Sequence, residues 1–481
     1  MSSPSLLIDG RHQAASQGTP QDVVDASTED VIATLQLAGR SDVDAAVAAA
    51  RRAFDSGPWA TTTAAERAGY LDALCQALLA RGDDVARTVS QENGNSIATS
   101  PMVQALSAAV VPGYFAQVAR EFAFDLEPRT GLYGNPVHIS RRPLGVVAAI
   151  VPWNVPLTIA MLKLGPVLAA GCTAVVKPDP QTALSAQILI EAVQASGFPD
   201  GVINVLPADR DVSEYLVCHP DVDKVSLTGS TATGRRVAAL CGKRIRPCTL
   251  ELGGKSAAIV TDSAELDHLI AGLLPGMTMI NGQACVAQTR LLVPASRADE
   301  ITQAFAEAFT ALRVGNALDP DTDIGPLISE TQRARVLGYI ERGVADGATV
   351  AAGGKATSVD GRGFYVEPTL LTDVHPDALV AQDEIFGPVI VVLRYDDIGE
   401  AVAIANNSQY GLSGSVWTKD PDEGLAIARR IKTGAVNVNY FSIEVGAPFG
   451  GSKSSGLGRE GGPEALDGYL EYGSIGVQSP A

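Results

Sequence analysis

The chain has 481 residues, enough for two or more domains, of which 46% are apolar and 19% are charged. With 48 glycines and 28 prolines, this composition is typical of a globular protein with many short turns, not of a disordered or fibrous one. A formal net charge of -18 would repel DNA, RNA and anionic lipids. We therefore expect no nucleic-acid partner, and instead a small molecule or other protein subunits.

Targeting and redox features point to a cytoplasmic protein. The six cysteines are scattered without a C-x-x-C pair, so we expect neither a metal site nor a disulfide framework. Residues 1–9 lack the basic and long apolar segments of a signal peptide. The uncharged run from 143 to 162 is long enough to span a bilayer, but Pro152, Asn154 and Pro156 interrupt it. We expect no membrane insertion.

Helices dominate the first part of the chain. The predicted helical regions are 41–55, 64–81 and 83–120. In the first of them, Ser41 is the expected cap because its hydroxyl can accept a backbone N–H. Since proline lacks the N–H that a helix interior needs, we expect interruptions near Pro101 and Pro112.

The pattern then changes to short strands. Residues 130–142 alternate as a ribbon with a predicted turn at Asn135-Pro136. The predicted strands that follow, interspersed with helical segments such as 185–195, are 144–151, 174–178, 202–205 and 224–230. This alternation favours βαβ units and a doubly wound α/β sheet, which binds ligands at the carboxyl ends of its strands. Asn154, Lys177 and Ser230 lie at or just beyond such ends.

A second α/β lobe is predicted after Glu251. Its predicted elements are helices over 299–313, 330–346 and 399–406 and a strand over 389–395. Residues 468–477 are strand-like again.

Cys285 lies in a turn of small residues over 280–289, where Gly282 allows backbone to approach a bound molecule. We interpret Cys285 as a nucleophile. The alternative for a single cysteine in an apolar chain is an inert packing residue.

Residues 229–236 follow a strand and open a helix, so their N–H groups could hold a phosphate. The segment is not a P-loop, because Arg235 occupies the lysine position and no hydroxyl residue follows it for magnesium. A pyrophosphate site is therefore favoured over an ATPase site, and a plain glycine-rich turn is the alternative.

Three further side chains could carry chemistry. Glu251 lies between two leucines, where partial desolvation would raise its pKa toward that of a useful base. Glu384 and Phe386 form a turn that could bind a ribose and press on a flat ring, or could be a simple turn. Lys163 is the only charge between residues 142 and 177, so its ammonium must find a partner or reach solvent along its stem, and the second arrangement is expected.

Together these motifs resemble the aldehyde dehydrogenase superfamily, of the hydrolytic, non-acylating type. The matching segments, which appear in the family's order and cover nearly the whole chain, are Pro152-Trp153-Asn154, Lys177-Pro178, Thr228-Gly229-Ser230, Glu251-Leu252-Gly253-Gly254-Lys255, Gly282-Gln283-Ala284-Cys285, Glu384-Ile385-Phe386-Gly387-Pro388 and Pro448 to Lys453 with Gly458-Arg459-Glu460.

The resemblance implies a catalytic role for five residues. Cys285 would attack the aldehyde, Asn154 would stabilise the oxyanion with the Cys285 N–H, and Glu251 would activate water to hydrolyse the thioester. Lys163 and Glu460 match positions with a proton-relay or supporting role.

The resemblance also implies a site for NAD. The residues expected against this cofactor are Ile150, Trp153, Lys177, Thr228, Gly229, Ser230, Glu384 and Phe386. Lys177 would contact the adenosine ribose, Ser230 the pyrophosphate and Glu384 the nicotinamide ribose. One departure is Pro180, which replaces an acidic residue that many NAD-preferring relatives carry. The absence of that acidic side chain removes a repulsion against the 2'-phosphate of NADP, so NADP is an alternative cofactor.

The substrate is expected to be a small-molecule aldehyde of apolar character, because Val155, Ile159 and Leu162 stand where relatives often carry larger side chains. A CoA-acylating enzyme is an alternative, but it has no need of the base Glu251. A catalytically silent nucleotide-binding scaffold is a further alternative, but it would not need Cys285, Glu251 and Asn154 together.

The resemblance implies the fold class and its division into domains. The fold class is α/β, with a Rossmann-like cofactor domain, a second α/β catalytic domain and a small β-ribbon oligomerisation element. The predicted boundaries are 1–124 with 144–253 for the cofactor domain, 254–452 for the catalytic domain, and 125–143 with 453–481 for the oligomerisation element. We expect a homodimer or homotetramer assembled through this ribbon.

Overall fold

The structure, a computed structural model, describes residues 6–16 and 18–478. The prediction about a signal peptide depends partly on residues 1–5, which lie outside the described ranges. So do the last three residues of the predicted oligomerisation element.

The helices of the described residues are α1 (Arg40–Asp55), α2 (Ala64–Leu79), α3 (Gly82–Asn93), α4 (Ser107–Glu121), α5 (Pro156–Ala170), α6 (Ala183–Ala195), α7 (Arg210–Cys218), α8 (Thr231–Lys243), α9 (Leu266–Thr278), α10 (Ala298–Ala311), α11 (Glu330–Ala345), α12 (Leu379–Gln382), α13 (Ile398–Asn406) and α14 (Pro421–Ala428). The strands are β1 (Leu6–Ile8), β2 (Arg11–Gln13), β3 (Pro20–Val24), β4 (Val31–Gln36), β5 (Asp125–Thr130), β6 (Pro136–Pro143), β7 (Val146–Ile150), β8 (Thr173–Lys177), β9 (Ile203–Val205), β10 (Lys224–Thr228), β11 (Cys248–Glu251), β12 (Ala257–Val260), β13 (Arg290–Pro294), β14 (Thr349–Ala352), β15 (Ala356–Val359), β16 (Arg362–Val366), β17 (Thr369–Thr372), β18 (Val389–Tyr395), β19 (Gly414–Trp417), β20 (Asn437–Val438), β21 (Gly456–Leu457) and β22 (Leu470–Gly476).

The first sheet has the order β2-β1-β9-β8-β7-β10-β11-β21 and is parallel from β9 to β11. Its central strand β7 is buried along its whole length, and its side chains alternate between two cores. Val147 and Ala149 join a core with α2, α4, α5 and α6, whereas Val146 and Ala148 join a core with α1, α7 and α8. Helices therefore cover both faces, which confirms the predicted doubly wound, Rossmann-like sheet.

The second sheet has the order β14-β17-β18-β13-β12-β19-β20 and is parallel except at β14. Ala257 and Ile259 of β12 face a core with α11, α13 and α14, and Ala258 and Val260 face a core with α9 and α10. The predicted second α/β lobe is confirmed.

A small antiparallel sheet, β22-β6-β5, lies apart from these two. It contains the predicted ribbon, but its turn occupies residues 131–135, and Pro136 opens β6 instead of completing the turn. At the tip, the side chains of Leu132 and Tyr133 are 93% and 89% exposed. The predicted domain boundaries stay a prediction, although β21 pairs with β11 of the first sheet.

Two details of the predicted helices are wrong. Ser41 does not cap α1: its hydroxyl contacts that of Ser16, while the Asp42 carboxylate accepts the Gly39 N–H at 2.9 Å, as an acid at this position in the first turn can. Pro112 does not interrupt α4, whose packing against α2 and α5 offsets the lost hydrogen bond. The expected break near Pro101 is present as an irregular stretch, followed by a π-helix over Pro101–Leu106.

The uncharged run 143–162 is divided between β7 and α5, so it forms no continuous helix. Among the described residues, the helical segment Pro101–Glu121 is long and apolar enough to cross a membrane, and 56% of its most apolar window is buried within the protein. Core helices of this length meet the same criterion.

The close packing of α4 on α5 depends on a glycine. A Cβ at Gly165 of α5 would lie 2.3 Å from Cδ2 of Phe115 in α4. We expect Gly165→Ala to destabilise the fold by about 1–3 kcal/mol in urea unfolding, because the methyl group overpacks the core. The matched control is Gly69→Ala on the exposed side of α2, where a Cβ meets nothing within 4 Å. There, alanine should stabilise the helix by about 1 kcal/mol, and equal effects at both sites would contradict the proposed packing constraint.

Candidate active site

A cavity of about 230 Å³ opens at the carboxyl ends of the first sheet, where the second lobe faces it. Segments after β7, β10 and β11 supply one wall, and the turn before β18, the first turns of α11 and the Cys285 segment supply the other. The lining residues are Pro152, Trp153, Asn154, Thr228, Gly229, Ser230, Leu252, Gly253, Cys285, Gln332, Arg335, Glu384 and Phe386. Eight of the predicted site residues therefore line one cavity.

The remaining predicted residues lie around it. Ile150 and Lys177 are paired at the carboxyl ends of β7 and β8, and both are nearly buried. Glu251 ends β11 and pairs with Thr228 of β10. Lys163 and Glu460 form a buried cluster with Ser226 of β10.

An unusual backbone path presents Cys285. Ile280 and Asn281 have left-handed φ angles of 50° and 56°, and Asn281 is held by hydrogen bonds from Nδ2 to the Gly94 and Pro326 carbonyls, each 2.8 Å. Gly282 follows with φ of 74°, and a Cβ there would lie 2.1 Å from the Gly387 carbonyl oxygen. Only glycine suits this position. The sequence analysis expected the close approach of a bound molecule here, whereas the structure shows the close approach of the Gly387 backbone.

The Cys285 thiol has two kinds of neighbour. Burial is the largest effect on its pKa, and the nearby carboxyl groups of Glu384 and Glu251 add to it; together they raise the pKa well above the ordinary value. The thiol is therefore neutral at pH 7 in the protein alone. On another side it packs within an apolar cluster formed by Ile280, Ala284, Val286, Ala287, Leu412, Val103, Val155, Met279, Phe441 and Phe449.

Asn154 is fixed beside this segment. Its Nδ2 donates to the Gln283 carbonyl at 2.9 Å, and its own carbonyl accepts hydrogen bonds from Asn93 Nδ2 and Gln104 Nε2 at 2.8 and 3.0 Å. Gln283 is in turn held by Ile328, whose N–H donates to Gln283 Oε1. The side-chain amide of Asn154, a neutral N–H donor, is thus held at the carbonyl of Gln283, two residues before Cys285 in the sequence.

Glu251 is buried, and neither of its carboxylate oxygens accepts a hydrogen bond of normal geometry within the described parts of the chain. Burial raises its pKa well above the ordinary value, and the negative charge of Glu460 raises it further, against the opposing charge of Lys163. An ideal Cβ at Gly450 would lie 2.6 Å from Glu251 Oε1, so the glycine makes room for this carboxylate.

Lys163 does not reach the surface, so that expectation is wrong. Its side chain is fully buried, and Nζ donates to Glu460 Oε1 at 2.7 Å and to Ser226 Oγ at 3.2 Å. Ser226 Oγ also donates to Glu460 Oε1 at 3.2 Å. A buried ammonium in an apolar helix needs such a partner, and the partner comes from a segment 297 residues away.

Both walls of the cavity carry residues predicted for a dinucleotide. Ser230 caps α8 by accepting the Thr233 N–H, which leaves the positive end of the helix facing the cavity. Glu384 Oε1 accepts the Gly254 N–H at 2.9 Å, and burial raises the pKa of Glu384 to about 7. The rings of Trp153 and Phe386 meet edge to face with centroids 5.4 Å apart.

The sequence did not indicate several residues of the site. Gln332 Nε2 donates to the Phe386 carbonyl and Arg335 Nη2 to the Glu384 carbonyl, each at 2.7 Å. Their spacing of three on a helix predicted over 330–346 is compatible with a shared face, but nothing marked that face as functional. Asn93 and Gln104 act through a backbone carbonyl, and no sequence pattern predicts such contacts.

The chain is similar in sequence and in overall fold to known proteins. A model of the Aldehyde dehydrogenase family matches residues 12–475. A geranial dehydrogenase from Castellaniella defragrans is 43% identical over 98% of both chains. An aldehyde dehydrogenase from Mycobacterium tuberculosis, solved with NAD+, is 42% identical with a TM-score of 0.96, covering 99% of this chain and 98% of its own. The NAD+ complex of an aldehyde dehydrogenase from Bacillus cereus is 37% identical with a TM-score of 0.95, covering 99% and 96%.

The buried ion pair of Lys163 and Glu460 should contribute to the free energy of unfolding. Lys163→Met should destabilise the protein by about 3–5 kcal/mol in urea unfolding, because it leaves the buried Glu460 carboxylate without its cation. The double variant Lys163→Met/Glu460→Gln should lose much less than the sum of the two single variants.

An exposed ion pair provides the control. Arg394 and Asp299 are 2.8 Å apart but solvent-exposed, so Arg394→Met should change stability by about 1 kcal/mol or less. Additive effects of the Lys163 and Glu460 changes would show that the two side chains are not energetically coupled.

Proposed function

Because the chain belongs to the aldehyde dehydrogenase family, we propose that it oxidises an apolar aldehyde to the carboxylic acid with NAD, through a covalent adduct on Cys285. The observation that carries this proposal is that Cys285 and Asn154 line one cavity beside an apolar cluster, with the Glu251 carboxyl group near enough to act on the pKa of the Cys285 thiol. A thiol, a neutral donor and a buried carboxylate are the groups that thioester chemistry requires.

Cys285, after losing its thiol proton to solvent, adds as a thiolate to the carbonyl carbon of the aldehyde, and the resulting oxyanion accepts hydrogen bonds from Asn154 Nδ2 and the Cys285 N–H. Bound NAD would supply the hydride acceptor and a positive ring that favours the thiolate. As the oxyanion collapses to a carbonyl, the C–H bond of the former aldehyde breaks, its hydrogen leaves as hydride, and the acyl group remains on the sulfur as a thioester. Glu251 takes a proton from a water molecule that attacks this thioester, and the carboxylic acid leaves.

The raised pKa of Glu251 matches this role. A carboxylate of ordinary pKa is a weak base at neutral pH, and a carboxyl group in a nonpolar site binds the proton of water more readily. Neither oxygen accepts a hydrogen bond of normal geometry from the described residues, and both are enclosed, so the proposal requires the attacking water to enter beside Glu251. We propose that the Glu460 carboxylate, which acts on the pKa of Glu251, receives the proton, while the Lys163 ammonium balances the charge as the proton moves.

The fit of NAD is supported by the cavity wall. Ser230 and the amino end of α8 would hold the pyrophosphate, Lys177 the adenosine ribose and Glu384 the nicotinamide ribose. Ile150, Trp153, Thr228, Gly229 and Phe386 would complete the cofactor's surroundings. The cavity lining thus combines a helix amino end, a carboxylate and two aromatic rings, which are groups that can bind a dinucleotide.

NAD is favoured over NADP despite Pro180. Lys177 lies close enough to Asp179 and Asp209 for both carboxylates to act on its pKa, which burial lowers and they raise. These two negative charges oppose a 2'-phosphate at the adenosine ribose, so they supply the repulsion that Pro180 lacks.

An apolar substrate follows from the surroundings of Cys285. Val155 belongs to the apolar cluster beside the thiol, and Ile159 and Leu162 lie in the adjoining helix α5, each 8% exposed. The hydroxyls of Ser107 and Thr158 are 2.7 Å apart and satisfy each other, so they do not require a polar substrate group. Geranial, after which one relative is named, is an aldehyde of this class.

A CoA-acylating reaction is less well supported, because it leaves Glu251 without a task. For assembly, we propose a homodimer or homotetramer formed through the β5-β6-β22 sheet. Its exposed apolar side chains include Leu132, Tyr133, Tyr472 and Ile475, which would gain burial from a second copy.

The proposed roles of Cys285 as nucleophile and Glu251 as base can be tested by activity measurements and intact-mass spectrometry. Cys285→Ala should abolish NAD-dependent aldehyde oxidation. Glu251→Gln should form the thioester but hydrolyse it slowly, so that intact-mass spectrometry after one turnover detects the acyl adduct. Full turnover by Glu251→Gln without an adduct would overturn the base assignment, and oxidation by Cys285→Ala would overturn the nucleophile.

The pH dependence of acyl-enzyme hydrolysis tests whether Glu460 raises the pKa of Glu251. The base acts as a carboxylate, so hydrolysis of the acyl-enzyme should slow as pH falls through the raised pKa of Glu251. Glu460→Gln removes a nearby negative charge, which lowers the pKa of Glu251 and should move this acid limb about one pH unit lower. Glu471→Gln, an exposed change on β22, should leave the limb unmoved; an unshifted limb in Glu460→Gln would contradict the coupling.

A further inference from the structure

Two cysteines outside the candidate active site lie together at the opposite edge of the first sheet. Cys248 begins β11, the strand that ends at Glu251, so its thiol lies at the amino ends of the parallel strands. Cys241 lies in the last turn of α8. Neither residue has a role in the proposed reaction.

The chain between the two cysteines folds back on itself. The Arg246 N–H donates to the Cys241 carbonyl at 3.0 Å, and the Val225 N–H donates to the Pro247 carbonyl at 3.3 Å. As a result, both side chains pack in the same core between α8 and the sheet. The Cys241 and Cys248 thiols lie close enough for each to act on the pKa of the other.

The two thiols differ in access. Cys241 is 1% exposed, whereas Cys248 is partly exposed and lines a cavity of about 510 Å³. The amine of Lys224 and the guanidinium of Arg459 line the same cavity. A small oxidant can therefore reach Cys248 from solvent, while Cys241 is reached only through Cys248.

The two thiols also differ in acidity. The nearby Cys241 thiol is the largest effect on the pKa of Cys248 and lowers it to about 7; burial opposes this and Lys224 reinforces it. Burial raises the pKa values of Cys75, Cys172 and Cys285. The surroundings of Cys248 thus favour its thiolate, whereas those of the other three favour the thiol.

We propose that Cys248 and Cys241 form a redox-active dithiol, in which a hydroperoxide oxidises Cys248 and Cys241 closes a disulfide. The Cys248 thiolate attacks one peroxide oxygen, the O–O bond breaks, and hydroxide leaves as water after taking a proton. The Cys241 sulfur then attacks the sulfenic sulfur, the S–O bond breaks, and the departing hydroxide takes the Cys241 proton. Two thiols and one hydrogen peroxide give one disulfide and two waters.

The disulfide would join α8 and β11, whose other ends lie at the cavity of the candidate active site. Helix α8 begins beside Ser230 and ends near Cys241, while β11 begins at Cys248 and ends at Glu251. A disulfide would therefore tie together, at their far ends, the elements that carry a proposed phosphate site and a proposed base. Formation of the bond itself does not depend on the proposed function.

The test uses the reduced full-length protein treated with hydrogen peroxide, alkylated in denaturant and digested with trypsin without reduction. Trypsin releases Cys241 in peptide 237–243, Cys248 in 245–255 and Cys218 in 211–224. We expect one cross-linked species of 237–243 with 245–255, two hydrogen atoms lighter than the separate peptides and lost on treatment with dithiothreitol.

Two variants resolve the order of events. In Cys241→Ser, the cross-link should disappear and dimedone should label Cys248 as a sulfenic acid. In Cys248→Ser, Cys241 should stay reduced, because its thiol is buried. The proposal is overturned if Cys285 is oxidised while 245–255 stays reduced, if Cys248 pairs with Cys218 instead, or if Cys241 is labelled in Cys248→Ser.

Discussion

The site depends on keeping a carboxyl group in a nonpolar environment without a donor to neutralise it. Glu251 is flanked by leucines, ends a buried strand and has no normal hydrogen bond on either oxygen among the described residues. Such a group would ordinarily be a liability, because desolvation of its charge costs free energy. Here a balanced set of charges surrounds it: Glu460 raises its pKa, Lys163 and Arg459 lower it, and Ser226 ties Lys163 to Glu460. The carboxyl group of Glu251 therefore has a raised pKa, which the neighbouring positive charges limit.

Close backbone approaches place the reactive groups against this carboxylate. Gly282 allows the Cys285 segment to pass the carbonyl of Gly387, and Gly450 leaves space for a Glu251 oxygen. Asn154 is oriented through three amide side chains that bind backbone rather than one another. Packing and backbone geometry, more than side-chain networks, fix the relative positions of thiol, amide and acid.

Most of the fold was predictable because burial leaves a periodic trace. The apolar run of β7 predicted a strand covered on both sides, and its residues alternate between two cores. The sequence did not show which of several possible local interactions would form. Asp42, not Ser41, binds the backbone at the start of α1, and packing allows α4 to continue through Pro112. Within the site, motif residues were predictable by resemblance, whereas Ser226, Gln332 and Arg335 act through contacts between segments far apart in sequence. The partner of Lys163 could not be found for the same reason, since no local pattern specifies a contact across 297 residues.

That long separation has a consequence for synthesis. Residues 456–476 add β21 beside Glu251, bring Glu460 to Lys163 and add β22 to β6. Until these residues have been synthesised, the first sheet lacks β21 and Lys163 lacks its carboxylate partner. A chain that ends before Glu460 would therefore have to bury the Lys163 amine without a counter-charge, which costs free energy.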